Sequence, residues 1–385
     1  MSYTQTMLIQ FTFFGAYFLM SMPAGAVVAR VGYKAGIVIG LVIASIGAAM
    51  FYPAARLPSY PVFLTALFVL ASGITLLQVA ANPYISLLGR PETSHSRLNL
   101  AQALNSLGTT VGPAVGGLLI LSAASRTQAE IQAQMQTMTP GEMQAWRLSE
   151  AASVKLPYIG IAGLLCVLAF VLAKFRFPPL SHIEDAGGSG RVASGSIWRH
   201  RTLVLGAIGI FVYVGAEVAI GSFLVNFFMQ PEIGGLTAQT AARYVSFYWG
   251  GAMVGRFTGS ALLRKVDTGS MVGAASLVAA LLVITSMLST GSFAMMTILA
   301  VGLFNSILFP SIFTLGIAGL GPLTGKGSGL LIAAIVGGAI IPLLQGAMAD
   351  RIGLQHAFFL PVICYLYLVF YGFVGSRRQQ TAAAA

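Results

Sequence analysis

The feature that most constrains this chain is the recurrence, from end to end, of uninterrupted apolar runs of about 20 residues or more. That is the length of helix that crosses the roughly 30 Å hydrocarbon layer of a bilayer. Eleven runs are read, at approximately 5–29, 35–55, 60–89, 97–123, 155–174, 201–229, 239–263, 268–289, 292–318, 324–349 and 355–375. In lipid every backbone N–H and C=O has to be paired within the protein, so helices and closed barrels are the available spanning structures. Barrel strands alternate in polarity over about ten residues, whereas these runs are longer and continuous. The expected fold class is therefore an all-α integral membrane protein. Composition agrees: 57% of the 385 residues are hydrophobic and 8% charged, more apolar than a soluble core of this size needs.

The basic residues set the direction of the chain, because Lys and Arg collect in loops on the cytoplasmic side. With the loop carrying Arg30 and Lys34 inside, Arg90, Arg97, Lys174, Arg176, Arg191, Arg199, Arg201, Arg264, Lys265, Lys326, Arg377 and Arg378 fall on the same side, fourteen of the twenty-one. Arg56, Arg126, Arg147, Lys155 and Arg351 fall outside, while Arg243 and Arg256 lie within a predicted helix. The net charge of +11 thus marks topology rather than nucleic-acid binding. The longest connections are 124–154, outside, and the Gly/Ser-rich 175–200, inside. The second divides the chain into an N-terminal bundle, 1–174, of five helices and a C-terminal bundle, 201–385, of six. The odd count, and an N-terminus placed outside, lead us to expect a further helix ahead of residue 1. Gly25 to Arg30 and Gly259 to Arg264 form a faint echo at inner helix ends, as a parallel duplication of two six-helix halves produces.

Several chemistries are disfavoured. Cys166 and Cys364 both lie in apolar runs, which gives a disulfide framework no support. The first run is too long, and lacks the basic leader, for a cleavable secretory signal. His95, His182, His200 and His356 sit at loops or helix ends with no acidic cluster around them, so neither a metal site nor an enzyme is expected. No phosphate-binding loop of the GxxxxGK[ST] type is present, and no cofactor is called for.

Polar residues inside the runs carry the functional signal. Of ten acidic residues, nine map to loops or helix ends; Glu217 lies near the middle of 201–229, where a carboxylate is costly unless it faces the protein interior, binds something or is protonated. It is read either as a substrate-binding or proton-carrying group, or as a buried tie between two helices. Gln78 and Asn82, four residues apart, share a helix face, and Pro83 frees a carbonyl of the preceding turn. On the next helix Asn99, Gln102, Asn105 or Ser106, and Thr109 recur at steps of three to four. Amides both donate to and accept from hydroxyl groups, which suits a sugar or another polyol. Interhelical hydrogen bonding accounts for the same residue types. In the second bundle Asn226, Asn305 and Gln345 are intramembrane amides, Asn305 being followed by Pro310. Tyr213, Tyr244, Tyr248 and Trp249 are either core aromatics or a surface for a sugar ring.

The pair AANPYISLLG and SRLNLAQALNSLG, with QFTFFGAYFLMSMPAG, YVGAEVAIGSFLVNFF, GRFTG and NSILFPSIFTLGI, resembles the fucose, galactose and glucose permeases of the major facilitator superfamily. The resemblance runs over nearly the whole chain. It implies two six-helix halves, with the first helix of the usual twelve ahead of this sequence, and a sugar/proton symporter working by alternating access. It also implies that Gln102 and Asn105 line the sugar path. Gln78 stands where the fucose branch has a glutamate used in proton coupling, and an amide cannot carry a proton, so a glucose or galactose preference is expected and Glu217 becomes the coupling candidate. The expected substrate-binding set is Gln78, Asn82, Gln102, Asn105 and Asn305. A proton, or sodium, is the coupling ion. The chain is expected to act as a monomer in lipid, as a multi-pass protein of the bacterial inner membrane, without nucleic acid. The GxxxGPxxGG run at 108–117 resembles one found in drug/proton antiporters, which leaves a drug exporter as one alternative and a non-transporting sugar sensor as another.

Overall fold

The computed structural model describes residues 3–56, 59–120, 154–178 and 196–377, together with a few positions between 138 and 148. Their regular structure is helical. The first group comprises α1 (Tyr3–Ala49), α2 (Phe51–Arg56), α3 (Tyr60–Leu87), α4 (Ser94–Ile120) and α5 (Lys155–Lys174). The second comprises α6 (Arg201–Met229), α7 (Ala238–Leu262), α8 (Thr268–Leu288), α9 (Gly291–Asn305), α10 (Leu308–Ile317), α11 (Thr324–Ala333), α12 (Gly337–Ile352), α13 (Leu354–Ala357) and α14 (Phe359–Phe370), the last followed by a π turn, Tyr371–Gly375. The expected loops 124–154 and 175–200 lie largely outside the described residues.

Eight stretches among the described residues are long and apolar enough to cross a membrane by hydropathy. The first of them contains a reversal. Gly32 adopts φ 81° and ψ 168°, a region that residues with a Cβ rarely enter. A Cβ on Gly36 would lie 2.9 Å from Val28 Cγ2, so the chain has folded back on itself between them. The turn sits between Arg30 and Lys34, where the charge pattern puts an inner loop. α4 and α7 fall short on hydropathy because amides, hydroxyls and glycines dilute their apolar residues, and these two helices meet each other across the two groups. The resulting passes match the expected runs closely.

Prolines shape the interior. A proline within a helix has no N–H for the carbonyl four residues earlier. Pro310 leaves Ser306 O unpaired, and the helix breaks there between α9 and α10. Pro83 does the same to Val79 O in α3, and Pro342 to Gly338 O in α12. All three carbonyls find side-chain donors on other helices: Ser306 O accepts from Arg256 Nε at 3.2 Å, Val79 O from Ser328 Oγ at 3.0 Å and Gly338 O from Gln10 Nε2 at 3.4 Å.

Close helix approach rests on glycine where backbones touch. α1 packs on α3 with Gly47 against Leu70 and Gly73 against Ala44; a Cβ on either glycine would come within 2.3 Å of a backbone nitrogen. Small residues of this kind let membrane helices approach without a hydrophobic driving force. Gly73→Val is therefore expected to destabilise the fold by roughly 1–3 kcal/mol or more, read as a lower thermal midpoint in detergent. Gly163→Ala, where nothing lies within 4 Å of the added carbon, is expected to leave the midpoint unchanged.

Candidate functional site

The polar interior holds two clusters, one in each group. In the first group Gln78 and Asn82 do lie one turn apart on α3, and their partners differ. Gln78 Nε2 donates to the Tyr17 hydroxyl of α1 at 2.9 Å. Asn82 is 4% exposed; its Oδ1 accepts from Gln102 Nε2 of α4 at 3.4 Å, and its Nδ2 has no partner. Asn105, one turn further along α4, is exposed, and Gln102 is half-buried. The two amide stripes thus meet through Asn82 and Gln102. Gln78 is turned away to Tyr17, a partner that sequence spacing does not reveal because it stands 61 residues away.

The second cluster centres on Asn305 at the end of α9, fully buried. Its Nδ2 donates to the Tyr248 hydroxyl at 2.8 Å, its Oδ1 accepts from the Tyr365 hydroxyl at 2.7 Å, and its carbonyl accepts from the Tyr213 hydroxyl at 2.9 Å. The carbonyl is exposed to this bond because the helix ends there, ahead of the break that Pro310 causes. Asn305 is thus engaged on both sides of its amide and holds three tyrosines in place. Tyr213 and Tyr248 are completely buried, so they are core residues with working hydroxyls in this arrangement; Tyr244 is half-buried and Trp249 is at the surface. Asn226 is exposed, and Gln345 is buried with neither amide atom paired.

Glu217, one turn beyond Tyr213 on α6, borders this cluster. Its carboxyl group lies beside the Tyr213 hydroxyl, its Oε1 has no partner, and its backbone carbonyl accepts from Tyr248 at 3.4 Å. The Tyr213 hydroxyl itself donates to Asn305 O at 2.9 Å. Arg256 of α7 is the cation that acts on Glu217. Arg256 was not among the expected site residues; its place with Arg243 inside the predicted span 239–263 was the available signal.

The two groups are tied together from their inner ends to mid-depth. At the inner ends Ser96 Oγ donates to Ser260 O at 2.6 Å and Ser260 Oγ to Ser96 O at 2.9 Å, a reciprocal pair between α4 and α7. His95 contacts Thr314, and Asn99 Nδ2 lies 3.5 Å from Ser311 Oγ. Ser328 of α11 reaches Val79 O, the carbonyl that Pro83 frees. Beside it Gly25 and Gly329 let α1 and α11 touch, a Cβ on Gly329 falling 2.7 Å from Ser21 O. Asn105, further along α4, is exposed, while these contacts hold the two groups together along one seam. Ser328→Ala and Ser96→Ala are each expected to loosen it, seen as faster hydrogen–deuterium exchange at the inner ends of α3, α4 and α11. Unchanged exchange there would remove these serines from the seam.

Comparison with known proteins follows the same lines. A family model described as Major Facilitator Superfamily matches residues 1–334. A glucose/galactose transporter of Brucella abortus is 53% identical over 377 residues, 98% of this chain and 87% of that protein. The L-fucose-proton symporter of Escherichia coli is 34% identical over 98% of this chain and 86% of its own length. The crystal structure of a major facilitator superfamily transporter, FucP, in the outward conformation superposes with a TM-score of 0.89 at 32% identity, covering 98% of this chain and 91% of that one.

Proposed function

The chain belongs to the major facilitator superfamily, and from that premise we propose that it is a secondary carrier that moves a hexose, glucose or galactose, together with a proton by alternating access. The observation that carries this reading is the meeting of Asn82 and Gln102 beside the accessible Asn105, within a chain 53% identical over almost its whole length to a glucose/galactose transporter. Unsatisfied amide groups such as Asn82 Nδ2 are costly when buried and are available to a ligand hydroxyl.

In this reading the sugar lies between the bundles 1–174 and 201–385, linked by 175–200, at the mid-membrane level where carriers of this kind bind. Gln102 and Asn105 hold sugar hydroxyls, Asn82 orients Gln102, and Gln78, fixed by Tyr17, sets the floor of the amide face. Asn305 acts behind the site, placing Tyr213, Tyr248 and Tyr365. Glu217 carries the proton: it is the acid deep in the membrane, its Oε1 has no hydrogen-bond partner, and Arg256 is the cation that acts on it. The inner seam closes the carrier to the inside, so sugar and proton enter this state from outside and leave once the seam opens. The protein works as a monomer in the inner membrane and carries out no covalent chemistry.

Proteoliposomes test these roles. Asn105→Ala is expected to reduce labelled galactose uptake at least tenfold with normal yield of folded protein; undiminished uptake removes Asn105 from the site. Glu217→Gln is expected to abolish uphill accumulation driven by a pH gradient while sparing exchange of labelled for unlabelled sugar. Accumulation that survives the change, with its pH dependence intact, assigns the proton elsewhere. Accumulation that follows a sodium gradient instead makes sodium the coupling ion.

A further inference from the structure

Arg256 stands in an unusual position: a permanent cation six residues inside the inner end of α7, half-buried, in the bundle that holds Glu217. A guanidinium stays ionised in any protein environment and needs a counter-charge or several acceptors when lipid and protein surround it. Its hydrogen bonds go elsewhere than to Glu217. Nε donates to Ser306 O, the carbonyl that Pro310 frees, and a terminal nitrogen donates across the interface to Ser106 Oγ and, at 3.4 Å, to Gln102 O, both on α4. Arg256 is therefore a strut from the second bundle to the helix that carries Gln102 and Asn105.

We propose that Arg256 is a positioning residue that locks the carrier closed when Glu217 is protonated and the sugar site is empty. This rests on the proposed symport. The groups that face Glu217 are Tyr213 on its own helix, Tyr248 and Arg256 on α7 and Tyr365 on α14; of these only Arg256 is charged. With Glu217 protonated and neutral, nothing competes for the guanidinium and it stays on α4. When the proton leaves, opposite unit charges attract across a medium that screens weakly, and the guanidinium is drawn from its neutral acceptors on α4 toward the carboxylate. The strut is then lost and the empty carrier is free to reorient. Sugar releases the strut by a second route, since hydroxyls that engage Gln102 and Asn105 occupy the same face of α4. The form left immobile carries a proton and no sugar, the form whose movement would leak protons.

The test is proton entry into dye-loaded proteoliposomes, acid outside, in the absence of sugar. Wild type is expected to be tight. Ser106→Ala, which keeps Arg256 and removes an acceptor, is expected to raise the sugar-free proton flux about tenfold, the scale set by loss of one charge-assisted hydrogen bond. Arg256→Gln raises it as well, Ser106→Thr restores tightness by keeping the hydroxyl, and adding Glu217→Gln to Ser106→Ala abolishes the leak. A Ser106→Ala protein as tight as wild type, a Ser106→Thr protein as leaky as Ser106→Ala, or a leak that persists without the Glu217 carboxyl overturns the lock. Labelled-galactose accumulation under a pH gradient, measured on the same wild-type vesicles, separates the two readings. Its absence sinks the symport itself; its presence beside a tight Ser106→Ala protein sinks the lock alone.

Discussion

A membrane interior offers no water to an unpaired backbone carbonyl, and much of this structure follows from how it meets that constraint. Helices satisfy most of the backbone locally. Pro83, Pro310 and Pro342 then undo the pairing at Val79, Ser306 and Gly338, and each freed oxygen is met by a side chain from a distant helix. Two of those side chains, Ser328 and Gln10, cross between the bundles. The prolines thus convert helix defects into sockets, and the sockets fix where one bundle rests on the other.

The same logic orders the buried polar groups. Asn305 has no exposed surface and satisfies three tyrosine hydroxyls or their acceptors. In a low-dielectric setting such a network is worth having only if complete, since an orphaned polar atom is expensive there. Other buried polar atoms, by contrast, lack a partner: Glu217 Oε1, Gln230 Oε1, Ser276 Oγ and both amide atoms of Gln345 in the second bundle, and Asn82 Nδ2 and Asn99 Oδ1 in the first. In the proposed carrier two of these meet a ligand, Glu217 Oε1 a proton and Asn82 Nδ2 a sugar hydroxyl, and Arg256 is bonded to the helix that presents the amides.

The helical passes were legible because lipid imposes one long apolar signal per crossing, and the turn at Gly32 was legible because Arg30 and Lys34 flank it. The meeting of Asn82 and Gln102 was legible too, since both helices start from one short inner loop. Partners separated by long stretches of chain were not. Tyr17 takes Gln78, Tyr365 takes Asn305, and Ser328 takes Val79 O over separations of 61, 60 and 249 residues. Spacing along one helix face carries no information about such pairs. The aromatic residues stayed open in sequence, because a tyrosine buried for its hydroxyl and one that stacks on a ligand look alike there; Tyr213 and Tyr248 prove to be core.

The central claim is that sugar movement and proton movement are one event in this protein. It is tested most directly with an electrode in a lightly buffered suspension of proteoliposomes, held at fixed membrane potential, as galactose is added outside. The account predicts immediate alkalinisation of the medium, in fixed proportion to the labelled galactose taken up in parallel. Uptake of galactose with no change in external pH would contradict it.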